Sequence, residues 1–293
     1  MESILEKIVR DKSKDLELTK NSIPLDTLKK QIDNVKVPLN LAGSLMGSSI
    51  RLIAESKKAS PSKGLLSKNY DPGSIALRYA SNGAAAISVL TEVNYFQGSL
   101  EHMDMVSANV RDKGVPTLRK DFIFDPYQIY EAKAHNADAL LLIVSILTPE
   151  SLTHLLSICK ELWLQALVEI HDEKELTIAI EAGAEIIGIN NRNLRSFDTD
   201  IGLTEMLAPK IPRGKIIVSE SGIHTREDII RVQKAGAHAA LIGEALMVSD
   251  DPSEKIAELF KSKNTANSAV FINRYDQDKN MWTQEYRECN CCH

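Results

Sequence analysis

A carboxylate and an ammonium side by side at the end of a buried strand can give and take protons, and residues 54–64, AESKKASPSKG, offer such a pair. The apolar run 50–54 reads as a strand and runs on into Glu55 and Lys57. Side chains alternate along a strand, so both charges continue the face of Ile53. Charges on a core face are costly unless they are paired or used. An ion pair on a strand rim is the plain reading, and a proton-transfer site is the chemical one. Ser60, Pro61 and Gly64 then form a rigid polar loop suited to holding an anion.

Seven later apolar segments also end in groups with chemistry: Thr91-Glu92, Lys120, Ser145, Glu169, Asn190-Asn191, Glu220-Ser221 and Gly243-Glu244. Singly, each has an ordinary explanation. Lys120 and Asp121 read as a surface ion pair, Glu169 and His171 as an exposed strand end, and Asn190-Asn191 as a turn. Their recurrence at the same end of successive units argues for one shared site. Two of the loops, SESGI (219–223) and LIGEALM (241–247), set Ser and Gly after the last two segments. Backbone N–H groups at Gly222 and Gly243, with a short helix after Gly243, would hold a phosphate there.

The elements that must position these groups are legible in the hydrophobic pattern. Strands are expected at 50–55, 85–90, 116–121, 139–145, 166–170, 186–190, 216–220 and 239–243. Helices are expected at 74–82, 98–113, 126–136, 149–160, 172–182 and 226–235. Turns at Gly83, Gly183 and Gly236 announce three of the strands, with Gly at a helix C-terminus. Strands of nearly continuous hydrophobicity belong to a parallel sheet buried on both faces. Eight such units are expected to close as an α/β fold, a single (β/α)8 TIM barrel spanning 49–262. A doubly wound open sheet is the rival, but its Gly-x-Gly-x-x-Gly fingerprint is absent. Residues 1–48 form a helical extension packed on the barrel. The polar segment 263–293 is expected to be largely disordered.

Composition narrows the function classes. The chain has 293 residues, 43% hydrophobic and 26% charged, with a net charge of -5. That balance, without any Lys/Arg run, points away from nucleic acid. No apolar stretch approaches the ~20 residues of a membrane span, and the N-terminus lacks a signal core, so a cytoplasmic protein is expected. Cys159 reads as core. Cys289, Cys291 and Cys292 crowd against His293, but the cluster lacks the second paired element of a zinc site, so no metal is expected. No disulfide framework is present, which suits a reducing compartment.

From its first residues to about Phe260 the chain resembles the indole-3-glycerol-phosphate synthase family. The resemblance rests on ILEKIVRDK (4–12), IAESKKASPSKGLL (53–66), AAISVLTE (85–92), FQGS (96–99) and TLRKDFIFDPYQIYEA (117–132). It continues through ALLLIVSIL (139–147), LVEIHDEKEL (167–176), IIGINNRNL (186–194), IVSESGI (217–223) and LIGEALM (241–247). Related phosphate-binding barrels share the last two loops but lack the combination of Lys57, Lys120 and Glu169. Another sugar-phosphate barrel, such as phosphoribosylanthranilate isomerase, and a catalytically silent barrel acting as a binding partner are the rival readings.

The resemblance implies a lyase of tryptophan biosynthesis. It would take 1-(2-carboxyphenylamino)-1-deoxyribulose 5-phosphate to indole-3-glycerol phosphate, carbon dioxide and water, without cofactor. Lys120 is implied as the acid on the carbonyl oxygen. Glu169, Glu55 and Lys57 share the later proton transfers, and Asn190 is their hydrogen-bonding partner. Ser60, Ser221, Gly222, Gly243 and Glu244 match the phosphate grip. A second lysine nearby is expected to ease proton donation from Lys120. The small anionic substrate is the expected partner, with no nucleic acid, no membrane, and a monomer or at most a weak homodimer. Two departures stand out. Leu41 replaces a usual aromatic, which is expected to loosen the extension, and Asn136 replaces a Gly in a left-handed position.

Overall fold

Eight parallel strands close on themselves in chain order in the computed structural model. The structure describes residues 3–61, 63–193, 197–260, 270–276 and 281–287, the last two segments by their backbone. The barrel strands are β1 (Arg51–Ser56), β2 (Ala86–Leu90), β3 (Thr117–Lys120) and β4 (Ala139–Ile143). They continue as β5 (Gln165–Ile170), β6 (Ile186–Asn190), β7 (Ile216–Glu220) and β8 (Ala239–Ile242). Each pairs with the next, and β8 returns to β1 through Arg51↔Ala239 to Ala54↔Ile242. The open-sheet alternative is thereby excluded.

Every strand is followed by a helix, including two that the sequence pattern misses, Gly202–Leu207 and Pro252–Phe260. The first is only six residues long and has no capping side chain, so it carries little periodic signal. Elsewhere the stop signals act as expected. Asp71, Ser99, Asp125, Thr148, Asp172 and Thr225 cap helix N-termini through their side chains. Asn136 takes the left-handed conformation with φ 60°. Ser145, expected on the fourth strand, lies instead in a 3₁₀ turn, Val144–Ile146.

The N-terminal extension reaches both ends of the barrel. Helix α1 (Ile4–Ser22) places Ile4, Leu5 and Ile8 along the pocket at the strands' C-terminal end. Helix α2 (Leu25–Ile32) packs on the helix Pro126–Ala134, with Leu16, Leu28 and Tyr127 in one cluster. Leu41 and Leu45 are then fully buried beside Ile53, Leu118 and Leu167 in the barrel core. The loosening expected at Leu41 is not what the packing shows. A branched aliphatic side chain fills that site, and the adjacent Ala42 N–H donates to Gln165 Oε1 at 3.0 Å. The extension and the barrel belong to one compact unit, Met1–Leu259.

Phe260–His293 forms the second unit. Its described part holds two strands, β9 (Val270–Asp276) and β10 (Met281–Arg287), paired antiparallel from Val270↔Arg287 to Asp276↔Met281. The sequence reading expects no regular element here because the segment is polar overall. The short runs around Val270, Ile272, Trp282 and Tyr286 nevertheless carry β-favouring residue types. The terminal cysteines and His293 lie outside the described residues. No helix among the described residues is long and apolar enough to cross a membrane.

Candidate active site

Strand alternation carries the barrel's inner layers upward to the mouth at the strands' C-termini. Ile53 in the core precedes Glu55, Leu118 precedes Lys120, Leu167 precedes Glu169, and Val218 precedes Glu220. Register sets Glu169 beside Gly188 and Asn190 beside Glu220. Glu55, Lys57, Lys120, Glu169, Asn190 and Glu220 line one pocket of about 170 Å³. The surface-pair and exposed-end readings of these residues are excluded by their burial. Glu169 is 2% exposed and Glu220 1%.

Lys120 is the hub. Its Nζ donates to Glu169 Oε2 at 2.8 Å and to Glu220 Oε2 at 2.7 Å. Burial pushes this ammonium down, but Glu169, Glu220 and Glu55 together push it up by more, so it stays charged. The sequence reading expected a neighbouring lysine to loosen that proton. The geometry reverses this, because Lys57 is paired with Glu55 at 2.6 Å while Lys120 sits between two carboxylates. The two carboxylates differ in kind. Burial raises Glu169, but Lys120 and His171 lower it further, and Asn190 Nδ2 donates to its Oε1 at 3.0 Å. Burial and then the charges of Glu169 and Glu55 hold Glu220 well above the usual carboxylate range, against the pull of Lys120. Its Oε1 is buried and finds no hydrogen-bond partner among the described residues.

Two glycines make room for these acids. A Cβ on Gly188 would collide with Glu220 Oε1, and one on Gly243 would collide with Glu55 Oε1. Gly188 lies within regular β6, so space and not backbone freedom requires glycine there.

One wall of the pocket is suited to a phosphate and another to a ring. Ser221 and Gly222 are consecutive left-handed residues, φ 67° and 74°, so the chain turns sharply after β7. A non-glycine residue in that region carries strain of the kind that collects at ligand sites. Both line the pocket with Ser60, Gly243 and Glu244. The Glu244 carboxylate is occupied by Lys63 at 3.5 Å and Arg192 at 3.4 Å. Phe96 and Phe122, with ring centroids 6.2 Å apart, join Ile4, Ile8 and Leu141 on the apolar side.

Behind the mouth, fully buried Arg119 pairs with Asp121 at 2.9 Å and Glu131 at 2.8 Å. Asp121 in turn receives Lys12 of α1 at 2.7 Å. Burial raises Asp121, but Lys12 and Arg119 together lower it to about 2. This depressed carboxyl therefore stabilises the fold fully above its ordinary value near 4, and the contribution is lost as pH falls toward 2. Lys12→Met removes the tie to α1 while Arg119 keeps Asp121 paired. A charged hydrogen bond contributes about 1.5–3 kcal/mol. Steady-state kinetics should therefore show KM rising roughly tenfold with kcat changed much less. An unchanged KM would remove Lys12 from substrate-site assembly.

Residues 5–259 match the family described as indole-3-glycerol phosphate synthase. The chain belongs to that family. A relative of this name from Dehalococcoides mccartyi is 49% identical over 257 residues, covering 87% of this chain and 99% of its own. One from Roseiflexus sp. is 48% identical, covering 88% and 98%. Among solved structures, 3-hexulose-6-phosphate synthase from Salmonella typhimurium matches at TM-score 0.59 with 13% identity, covering 72% of this chain and 96% of its own. Thiamine phosphate pyrophosphorylase from Pyrococcus furiosus matches at 0.58 with 16% identity, covering 75% and 96%. These two likenesses concern the fold alone.

Within this indole-3-glycerol phosphate synthase barrel, all ten site residues singled out from sequence line one pocket. Sequence reasoning left out Glu220, Arg192, Gly188 and Lys12. Glu220 stood among the strand ends and was detectable by position. Gly188 carries no sequence signal of its role, because only the packed Glu220 side chain reveals it.

Proposed function

We propose that this chain forms indole-3-glycerol phosphate from 1-(2-carboxyphenylamino)-1-deoxyribulose 5-phosphate, releasing carbon dioxide and water, as a step of tryptophan biosynthesis. The observation that carries the reading is the Lys120 ammonium held between Glu169 and Glu220 in a pocket with one apolar wall. The aryl carbon bearing the carboxylate attacks the ribulose carbonyl, and Lys120 protonates the oxygen as negative charge develops there. Loss of carbon dioxide returns its bonding electrons to the ring. The new hydroxyl then departs as water, and a ring carbon loses a proton.

Acid and base roles divide where environment pushes two carboxyls apart. Glu220, raised, donates to the departing hydroxyl. Glu169, lowered, takes the ring proton, and it lies 2.8 Å from the Lys120 nitrogen that must be recharged. Two protons are given and one is recovered, so each turnover takes up one proton from solvent. Asn190 steers Glu169, while Glu55 and Lys57 hold each other within the pocket. Ser60 and the backbone at Ser221, Gly222, Gly243 and Glu244 bind the phosphate. The enzyme is expected to act in the cytoplasm, as a monomer or at most a weak homodimer.

Incubating the purified protein with the anilino-ribulose phosphate should produce indole fluorescence with release of carbon dioxide. A folded sample that yields no indole product rejects the synthase reading. Inorganic phosphate should compete with substrate, and indifference to it would move the phosphate site elsewhere.

A further inference from the structure

His171 lies just beyond β5, one layer behind the reacting groups, and both of its ring nitrogens face carboxylates. Nδ1 is 3.1 Å from Glu175 Oε2, whose same oxygen also accepts the His171 backbone N–H at 2.7 Å. Nε2 is 3.3 Å from Glu169 Oε1, close enough to pair charges though off the hydrogen-bond line. That nitrogen is buried and makes no hydrogen bond among the described residues. An imidazole presents one donor and one acceptor, whereas an imidazolium presents two donors. Facing a carboxylate at each end, the ring is matched only in its doubly protonated form.

The geometry points to His171 as a positioning residue, an imidazolium anchored by Glu175 that keeps Glu169 ionised and aimed at Lys120. This rests on the role of Glu169 as the base. The need for such a group follows from the charge count at the mouth. Lys120 alone serves both Glu169 and Glu220, and when it gives up its proton both would lose their shared cation. A second cation on the far side of Glu169 holds that carboxylate charged through the step. The groups facing this pair are few. Glu169 sees Lys120 from β3, Asn190 from β6 and, across Lys120, Glu220 from β7. His171 sees Glu169 and Glu175. The turn Val144–Ile146, packed against β5 and the helix Glu173–Glu181, supplies no charge. Burial lowers His171, but Glu169 and Glu175 raise it to about 10, in agreement with the two-donor geometry.

The test joins a direct titration to a pH profile. In the full-length protein, the imidazole NMR signal that disappears in His171→Gln should stay in its charged form between pH 6 and 8. In Glu175→Gln it should titrate at a lower pH than in the parent. An opposite charge within about 4–6 Å moves a carboxyl by about one to three pH units. His171→Gln should therefore show an acid limb in kcat displaced upward from the parent's by about one to three pH units, while KM changes little. Glu175→Gln should shift kcat in the same direction by less, and the double variant should be no worse than His171→Gln. A His171 signal titrating near the ordinary value of about 6.5 would overturn the proposal. So would a loss of kcat equal at every pH. A parent enzyme inactive on the anilino-ribulose phosphate would instead overturn the catalytic reading, and the NMR titration would still decide the state of His171.

Discussion

Lys120→Met is expected to lower kcat by roughly 10²–10⁴-fold, the range general acid catalysis contributes, with a much smaller change in KM. Methionine keeps the unbranched stem in the barrel mouth but removes the proton donor. Ser60, Ser221 and Gly222, the proposed phosphate contacts, lie on other loops, so ground-state binding is expected to be retained. The same substitution leaves Glu169 and Glu220 without their shared cation. Breaking a buried pair destabilises by about 3–5 kcal/mol, unless one of the acids takes up a proton. Glu220 is the acid that does so, because burial already holds it above the usual range. A thermal melt separates this loss from the catalytic one. Lys120→Arg provides the second control. An arginine keeps a cation between the acids but does not deprotonate in proteins, so turnover should still collapse while much of the lost stability returns. Either variant retaining more than about a tenth of parental turnover, with chemistry limiting, would contradict the acid role of Lys120.

Gly188→Ala is expected to cost about 100-fold in kcat although it adds one methyl group to a residue that takes no part in the chemistry. The added Cβ would occupy the place of Glu220 Oε1 and would press on Leu167 Cδ1 at 3.1 Å. The carboxylate is the far end of a flexible side chain, so it moves and the strand does not. Overpacking of this kind destabilises by about 1–3 kcal/mol, which a melt should register without loss of the fold. The activity suffers more. Displacing Glu220 by about 1 Å breaks the 2.7 Å contact to Lys120, and misplacements of that size cost about 10²-fold. KM should stay within a few-fold of the parent. A Gly188→Ala enzyme with kcat within threefold of the parent would show that the position of Glu220 is not critical.

How much of this was legible beforehand follows from the range of the forces concerned. Chain-local rules gave the eight strands to within one or two residues, because buried parallel strands are continuous apolar runs and helix caps are written in single residues. Alternation along the first strand also gave the shared aim of Glu55 and Lys57 along the face of Ile53, since side-chain direction in a strand repeats every two residues. Polar composition, read over the whole tail, hid the β-favouring runs around Val270 and Trp282. Ser and Gly after the last two strands marked the loops proposed for phosphate before any resemblance was needed, and only the structure shows Ser221 and Gly222 to be left-handed there.

Relations between strands were not legible, because they depend on register and on side-chain reach across the barrel. Lys120 and Glu220 are 100 residues apart in sequence and 2.7 Å apart in space. That contact, and not the nearby Lys57, decides that the lysine proton is held more tightly than a two-lysine site would hold it. The same holds for Lys12, which meets Asp121 only once α1 folds back over the barrel, and for Gly188, whose empty side is filled by an acid from the next strand. Sequence by itself determined which groups could do chemistry and at which end of the barrel they stand. Tertiary structure alone decided which carboxylate shares which cation, because burial and charge pairing act between residues that the chain brings together only on folding.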